Sequence, residues 1–197
     1  MDHAGNGTDG SPEPLTYLLL DGENIDATLG NSVLGRRPNP EERPRWERVL
    51  EFTEHVWGHR VRALFFMNAS GHVPMGFVQA LQAMGLRPVL LSGPSHVKVV
   101  DVGIQRTLDA LVERPGNVLL GSHDGDFLPQ IEALLGTERR VGMLSFREFL
   151  NSAYPDLVGK GLEIFDLETD AKCFNFVLPR TRVIDIADFD PAVFLAP

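Results

Sequence analysis

Six short apolar runs constrain this chain most: 17–21, 61–67, 87–91, 118–121, 141–146 and 162–167. They read as near-continuous apolar strands, the pattern of parallel strands buried on both faces. Between them lie stretches with helical spacing. Trp46, Val49, Leu50, Phe52, Thr53 and Val56 form one apolar stripe within 41–57, closed by Gly58. The stretches 75–84 and 128–135 each end at a glycine, Gly85 and Gly136, and 102–112 is followed by Pro115-Gly116. Strands alternating with helices predict an α/β fold, a doubly wound, mostly parallel sheet flanked by helices. Right-handed crossovers then place helices on both faces. The stretch 25–44 carries Gly30, Gly35, Pro38, Pro40 and Pro44 and reads as a loop.

A length of 197 residues suits one domain with a sizeable core. Residues 1–14 are rich in Gly, Asp, Ser and Pro and read as a disordered lead-in. The domain is expected over 15–167. A C-terminal extension of unassigned role follows over 168–197, with β-leaning stretches at 174–178 and 182–186 and acids at Asp185, Asp188 and Asp190. That extension reads as an edge hairpin, a lid or an arm for a protein partner or a homodimer. No apolar run is long enough to span a bilayer, so no membrane role is expected. The single cysteine, Cys173, fits a packed residue in a protein of the reducing cytoplasm. A net charge of −9 argues against nonspecific nucleic-acid binding over the whole surface. It leaves room for a nucleic-acid enzyme whose acids are neutralised locally by cations.

Three of the predicted strands or helices carry acids at their ends. Asp21-Gly22-Glu23-Asn24 follows the first strand, Lys98-Val99-Val100-Asp101 precedes a helix, and Ser122-His123-Asp124-Gly125-Asp126 follows the fourth strand. Ligands of open parallel sheets bind at the carboxyl ends of the strands, so these acids are expected to converge. Carboxylates brought close together call for a cation, and an all-oxygen set suits Mg²⁺ or Mn²⁺. Asp21, Asp124 and Asp126 are the expected ligands, with Asp101 orienting a water or binding through one. Each has a plainer reading. Asp21 and Asn24 shape a turn, Asp101 caps a helix, and Asp126 caps the next. Gly125 between two acids suits a tight loop that aims both at one ion. His123 alternates with those acids and is expected to point elsewhere. Ser122 and Asn24 are polar support or phosphate contacts. Lys98 is a phosphate contact or a solvated surface lysine. Arg36 and Arg37, with Arg43 and Arg45 nearby, form a basic rim if their loop overhangs the acids, and Arg147 at the end of the fifth strand is a further phosphate candidate.

The segments 19–24 (Leu-Leu-Asp-Gly-Glu-Asn), 98–102 (Lys-Val-Val-Asp-Val) and 121–127 (Gly-Ser-His-Asp-Gly-Asp-Phe) resemble the three signature segments of NYN domains, members of the PIN-like nuclease superfamily. The resemblance covers roughly 15–167 in the same order. It implies a parallel sheet flanked by helices and hydrolysis of RNA phosphodiesters with Mg²⁺ or Mn²⁺. It also implies an acidic cluster of Asp21, Asp101, Asp124 and Asp126, supported by Asn24 and Ser122. The arginine- and proline-rich stretch 34–48 is longer than the compact connection of that family. A metal-dependent endoribonuclease acting on single-stranded or looped RNA is therefore the first expectation. A non-catalytic PIN-like module that binds RNA or protein is the second. A phosphatase-type reading is weaker, because Asp21-Gly22-Glu23 places Glu where a second Asp is wanted. A primase-type reading is weaker too, because the first strand ends in Asp and not Glu.

Overall fold

A computed structural model describes residues 15–179 and 186–195. The predicted lead-in and most of the stretch 182–186, Asp185 included, lie outside the described residues. The elements with strand or regular α-helical backbone begin with β1 (Leu15–Asp21), α1 (Gly22–Thr28), α2 (Trp46–Trp57) and β2 (Arg60–Asn68). They continue with α3 (Met75–Ala83), β3 (Arg87–Leu91), α4 (Val99–Val112), β4 (Asn117–Gly121), α5 (Leu128–Leu135), β5 (Val141–Ser145), β6 (Leu162–Asp166) and a final turn of helix, α6 (Ala192–Leu195). The six strands form one sheet in the order β3-β2-β1-β4-β5-β6. Every pairing is parallel, where a mostly parallel sheet was expected.

That order places the functional end of the molecule. The chain builds outward from β1 to β3, then returns to the centre to lay β4 against the other side of β1. The β1/β4 boundary is the switch point where loops diverge and open sheets leave a crevice. Side chains along β1 alternate between two cores. Leu18 and Leu20 join the cluster with Trp46, Val49 and Trp57 of α2 and Val78 and Leu81 of α3. Leu19 joins the other, with Ile104 and Leu108 of α4 and Ile131 and Leu134 of α5. Both faces are thus covered, as the period of two along a strand requires. Truncating one of these fully buried leucines to alanine costs about 2–5 kcal/mol.

Four local differences from the sequence reading have physical causes. The predicted loop 25–44 opens with α1 and continues through a π-helical turn over Leu29–Leu34. The Asp21 side chain accepts from the Asn24 backbone N–H, and Ile25 and Leu29 bury one face at i, i+4 spacing. The helix expected from residue 41 starts at Trp46, because a separate 3₁₀ turn over Pro40–Glu42 and Pro44 precede it. The helix expected after Asp101 begins earlier, at Val99, so Asp101 sits in its first turn and not at its cap. Finally, 174–178 forms no strand. Ala171, Cys173, Phe174 and Leu178 instead pack into the core shared with α2 and α3, so the domain runs past residue 167. Arg48 of α2 ties this segment down by donating to the carbonyls of Lys172 and Phe174. Burial pushes the Cys173 thiol well above its ordinary range, as befits a packed residue.

Candidate metal centre

The centre lies at the carboxyl ends of β1 and β4 and the start of α4. Asp101, Asp124 and Asp126 each present one carboxylate oxygen, and the three oxygens lie within 4.8 Å of one another. Asp101 comes from the first turn of α4, where the helix dipole favours a negative charge. Asp124 and Asp126 come from the loop after β4 and the 3₁₀ turn Gly125–Phe127 that leads into α5. Asp124, and not Asp126, caps that turn by accepting from the Asp126 N–H at 3.0 Å. A cavity of about 380 Å³ opens beside them, lined by Asp21, Asn24, Lys98, Asp101 and Asp124 among others.

Asp21 differs from its expected place. It lines the cavity but is not one of the three closest acids; Asp101 takes that position. Asp21 is 2% exposed, and its carboxylate accepts from Ser122 Oγ and from the Asn24 N–H, both at 3.2 Å. Burial pushes its carboxyl up to about 6, against those two hydrogen bonds, and the charges of Asp101 and Glu23 add to the rise.

The loop 121–127 is fixed by groups that no local motif announces. Ser122 Oγ donates to Asp21 and accepts from the Asp124 N–H at 3.3 Å, so this hydroxyl serves the acids. Asn24 Oδ1 accepts from both the His123 backbone N–H and His123 Nδ1, each at 2.9 Å. His123 Nε2 accepts from the Phe146 N–H at 2.8 Å, so the proton of the neutral ring sits on Nδ1. His123 therefore points away from the acids and ties β4 to the ends of β1 and β5. Asn24 is a clamp within the protein, joining the loops after β1 and β4. The Tyr154 hydroxyl donates to the Asp124 carbonyl at 2.7 Å, and Gln105 of α4 donates to the Asp126 carbonyl at 3.0 Å. Burial holds the Tyr154 hydroxyl well above its ordinary range, so it stays a donor.

Two glycines beside the acids sit in close approach to neighbouring side chains. A Cβ on Gly22 would fall 2.2 Å from the Phe65 ring. One on Gly125 would fall 2.4 Å from Asn151, whose N–H donates to the His123 carbonyl.

The expected cations divide. Lys98 Nζ lies 3.3 Å from Asp101 Oδ2 and 3.4 Å from Asp126 Oδ2, bridging two of the three acids, and those acids raise its pKa. Its side chain is 71% exposed, so the pairs add little to stability and the ammonium can swing away. Arg36 is held by Glu42, which Asn39 also engages through a capping box. Arg147 reaches Asp170 and the Ile164 carbonyl on the β6 side, not the acids. Arg43 pairs with Asp26 at 2.9 Å. Arg37 is exposed and makes no ion pair among the described residues, so the arginine rim is largely engaged within the protein.

No protein-family model matches the sequence, and no curated protein matches it. A solved structure similar to this one is that of a protein of unknown function from Vibrio parahaemolyticus. The two superpose with a TM-score of 0.63 at 16% sequence identity, covering 80% of this chain and 95% of the other. That likeness shows the fold, an α/β arrangement with an all-parallel sheet flanked by helices. Among the described residues, no helix is long and apolar enough to cross a membrane.

Proposed function

We propose that this chain is a metal-dependent endoribonuclease of the PIN-like type, hydrolysing phosphodiester bonds of single-stranded or looped RNA. The observation that carries the reading is the convergence of Asp101, Asp124 and Asp126 at the switch point of the sheet. Three hard oxygen donors on a cavity rim fit Mg²⁺ or Mn²⁺ in character. They would hold the ion, with Asp21 buried behind them at the cavity wall. A bound divalent ion supplies Lewis-acid stabilisation of a phosphoryl oxygen and activation of water.

The chain's own residues do the positioning. Tyr154, Gln105 and Asn24 hold the loop that presents Asp124 and Asp126. Ser122 fixes the Asp21 carboxylate, and Lys98, on its exposed stem, would supply a cation to a substrate phosphate. The resemblance of the three acidic segments to NYN domains supports the same reading.

One observation favours a second reading, a PIN-like module that binds RNA or a protein partner without cutting. Lys98 neutralises part of the cluster internally, as a site without metal would require. Metal-dependent cleavage by the wild-type protein separates the two readings, and one variant then tests the site. Under the nuclease reading, Asp124→Asn abolishes Mn²⁺-dependent RNA cleavage while circular dichroism and unfolding midpoint stay near wild type. A well-folded Asp124→Asn protein that cuts at the wild-type rate would sink that reading.

A further inference from the structure

We propose that a second cavity, next to the acidic one, receives an unpaired, amino-bearing nucleobase (adenine, cytosine or guanine) of the bound strand. The proposal rests on the reading that the acidic cavity handles a nucleic-acid phosphate. This second cavity measures about 230 Å³ and lies on the other side of Gly22 and Glu23 from the acids. Glu23 lines both cavities, so they share a wall. The volume falls below the about 300 Å³ at which sites for larger ligands begin, which suits one flat ring system.

Its walls have the chemistry of a base site. Trp46, Phe65 and Phe77 line it; Trp46 and Phe65 form its buried floor and the half-buried Phe77 offers the ring a base can reach, with Trp46 and Phe77 each edge-on to Phe65 at ring-centroid distances of 5.0 and 5.5 Å. Unpaired bases of single-stranded nucleic acid are captured by such rings. The polar groups on the lining have complementary signs. Glu23 Oε1 accepts from the Asn68 N–H at 2.7 Å, and the carboxylate retains capacity for an exocyclic amino group. Uracil has no such group, and its one N–H is flanked by two carbonyl oxygens that repel a carboxylate, so the carboxylate discriminates against it. Arg37 lies on the same lining without an ion pair among the described residues, available to the phosphate that follows the base. The Arg43–Asp26 pair holds the loop that carries this wall.

The test is fluorescence anisotropy with labelled short oligo(A), oligo(C) and oligo(U) in EDTA, where no cleavage can contribute. Wild-type protein should bind oligo(A) and oligo(C) more tightly than oligo(U). Phe77→Ala should weaken oligo(A) binding about tenfold and erase the preference. Arg37→Ala changes an exposed residue, and it should weaken all three. Equal binding of the three oligonucleotides, binding unchanged in Phe77→Ala and Arg37→Ala, or no binding at all would overturn the pocket. Its failure is distinct from that of the nuclease reading. Base-selective binding without Mn²⁺-dependent cleavage keeps the pocket and removes the nuclease. Cleavage that is blind to base identity and to Phe77→Ala does the reverse.

Discussion

Replacing Asp21 with asparagine should make the metal-free protein more stable at alkaline pH. The buried carboxyl is raised from 3.8 to about 6, mainly by loss of hydration. At about 1.36 kcal/mol per pKa unit, ionised Asp21 costs the fold about 3 kcal/mol. The sign follows from linkage: a carboxyl with a folded pKa above its unfolded one favours the fold below about 3.8. That contribution is lost as pH rises through about 6. Asparagine keeps the shape and the N-cap acceptor for the Asn24 N–H, and the Ser122 hydroxyl can turn to accept from the new amide. Asp21→Asn should therefore gain about 3 kcal/mol over wild type at pH 8 in EDTA, shrinking to about 0.5 kcal/mol at pH 4. Urea unfolding at the two pH values measures the difference directly, and titrating groups remote from Asp21 cancel between the two proteins. Saturating Mn²⁺ should narrow the gap at pH 8, because a nearby cation favours the ionised carboxylate. A variant no more stable than wild type at pH 8, or a difference that ignores pH, would refute the account of Asp21.

Other perturbations follow from the same contacts. Lys98→Ala removes the ammonium that competes for Asp101 and Asp126, so calorimetry should show tighter Mn²⁺ binding, accompanied by slower cleavage. Unchanged affinity would mean that the lysine does not occupy the cation position. Tyr154→Phe deletes the 2.7 Å bond to the Asp124 carbonyl and should lower unfolding free energy by about 1 kcal/mol. A denaturation midpoint equal to wild type would show that the loop does not depend on this bond.

The sheet was readable because parallel strands are apolar along their whole length, and Asp21, Asp124 and Asp126 because they stand where two of those runs stop. The alternation of His123 with the acids matches a ring that bonds Asn24 and the Phe146 N–H instead of turning toward them. Other features escaped for physical reasons. Asp21 is at once a buried acid and the cap of α1, and the glycines and prolines downstream masked the short buried stripe of Ile25 and Leu29. Asp101 joined the closest acids because α4 starts two residues before it, at Val99, where Lys98 offers no capping side chain to mark the boundary. The segment that buries Cys173 and Phe174 has neither strand nor helix period, so its packing is invisible in the pattern. Tyr154, Gln105 and Asn151 reach the acidic loop from distant segments of the chain, and only the topology brings them there.

Cleavage of labelled single-stranded and hairpin RNAs tests the central claim most directly. It should be run in Mn²⁺, Mg²⁺ and EDTA, with wild type beside an Asp124→Asn/Asp126→Asn double variant. Cutting that requires the divalent ion, favours single-stranded or looped RNA and disappears in the folded double variant is the result predicted here. A folded wild-type protein that cuts nothing in either metal, or a double variant that cuts as fast as wild type, would contradict it.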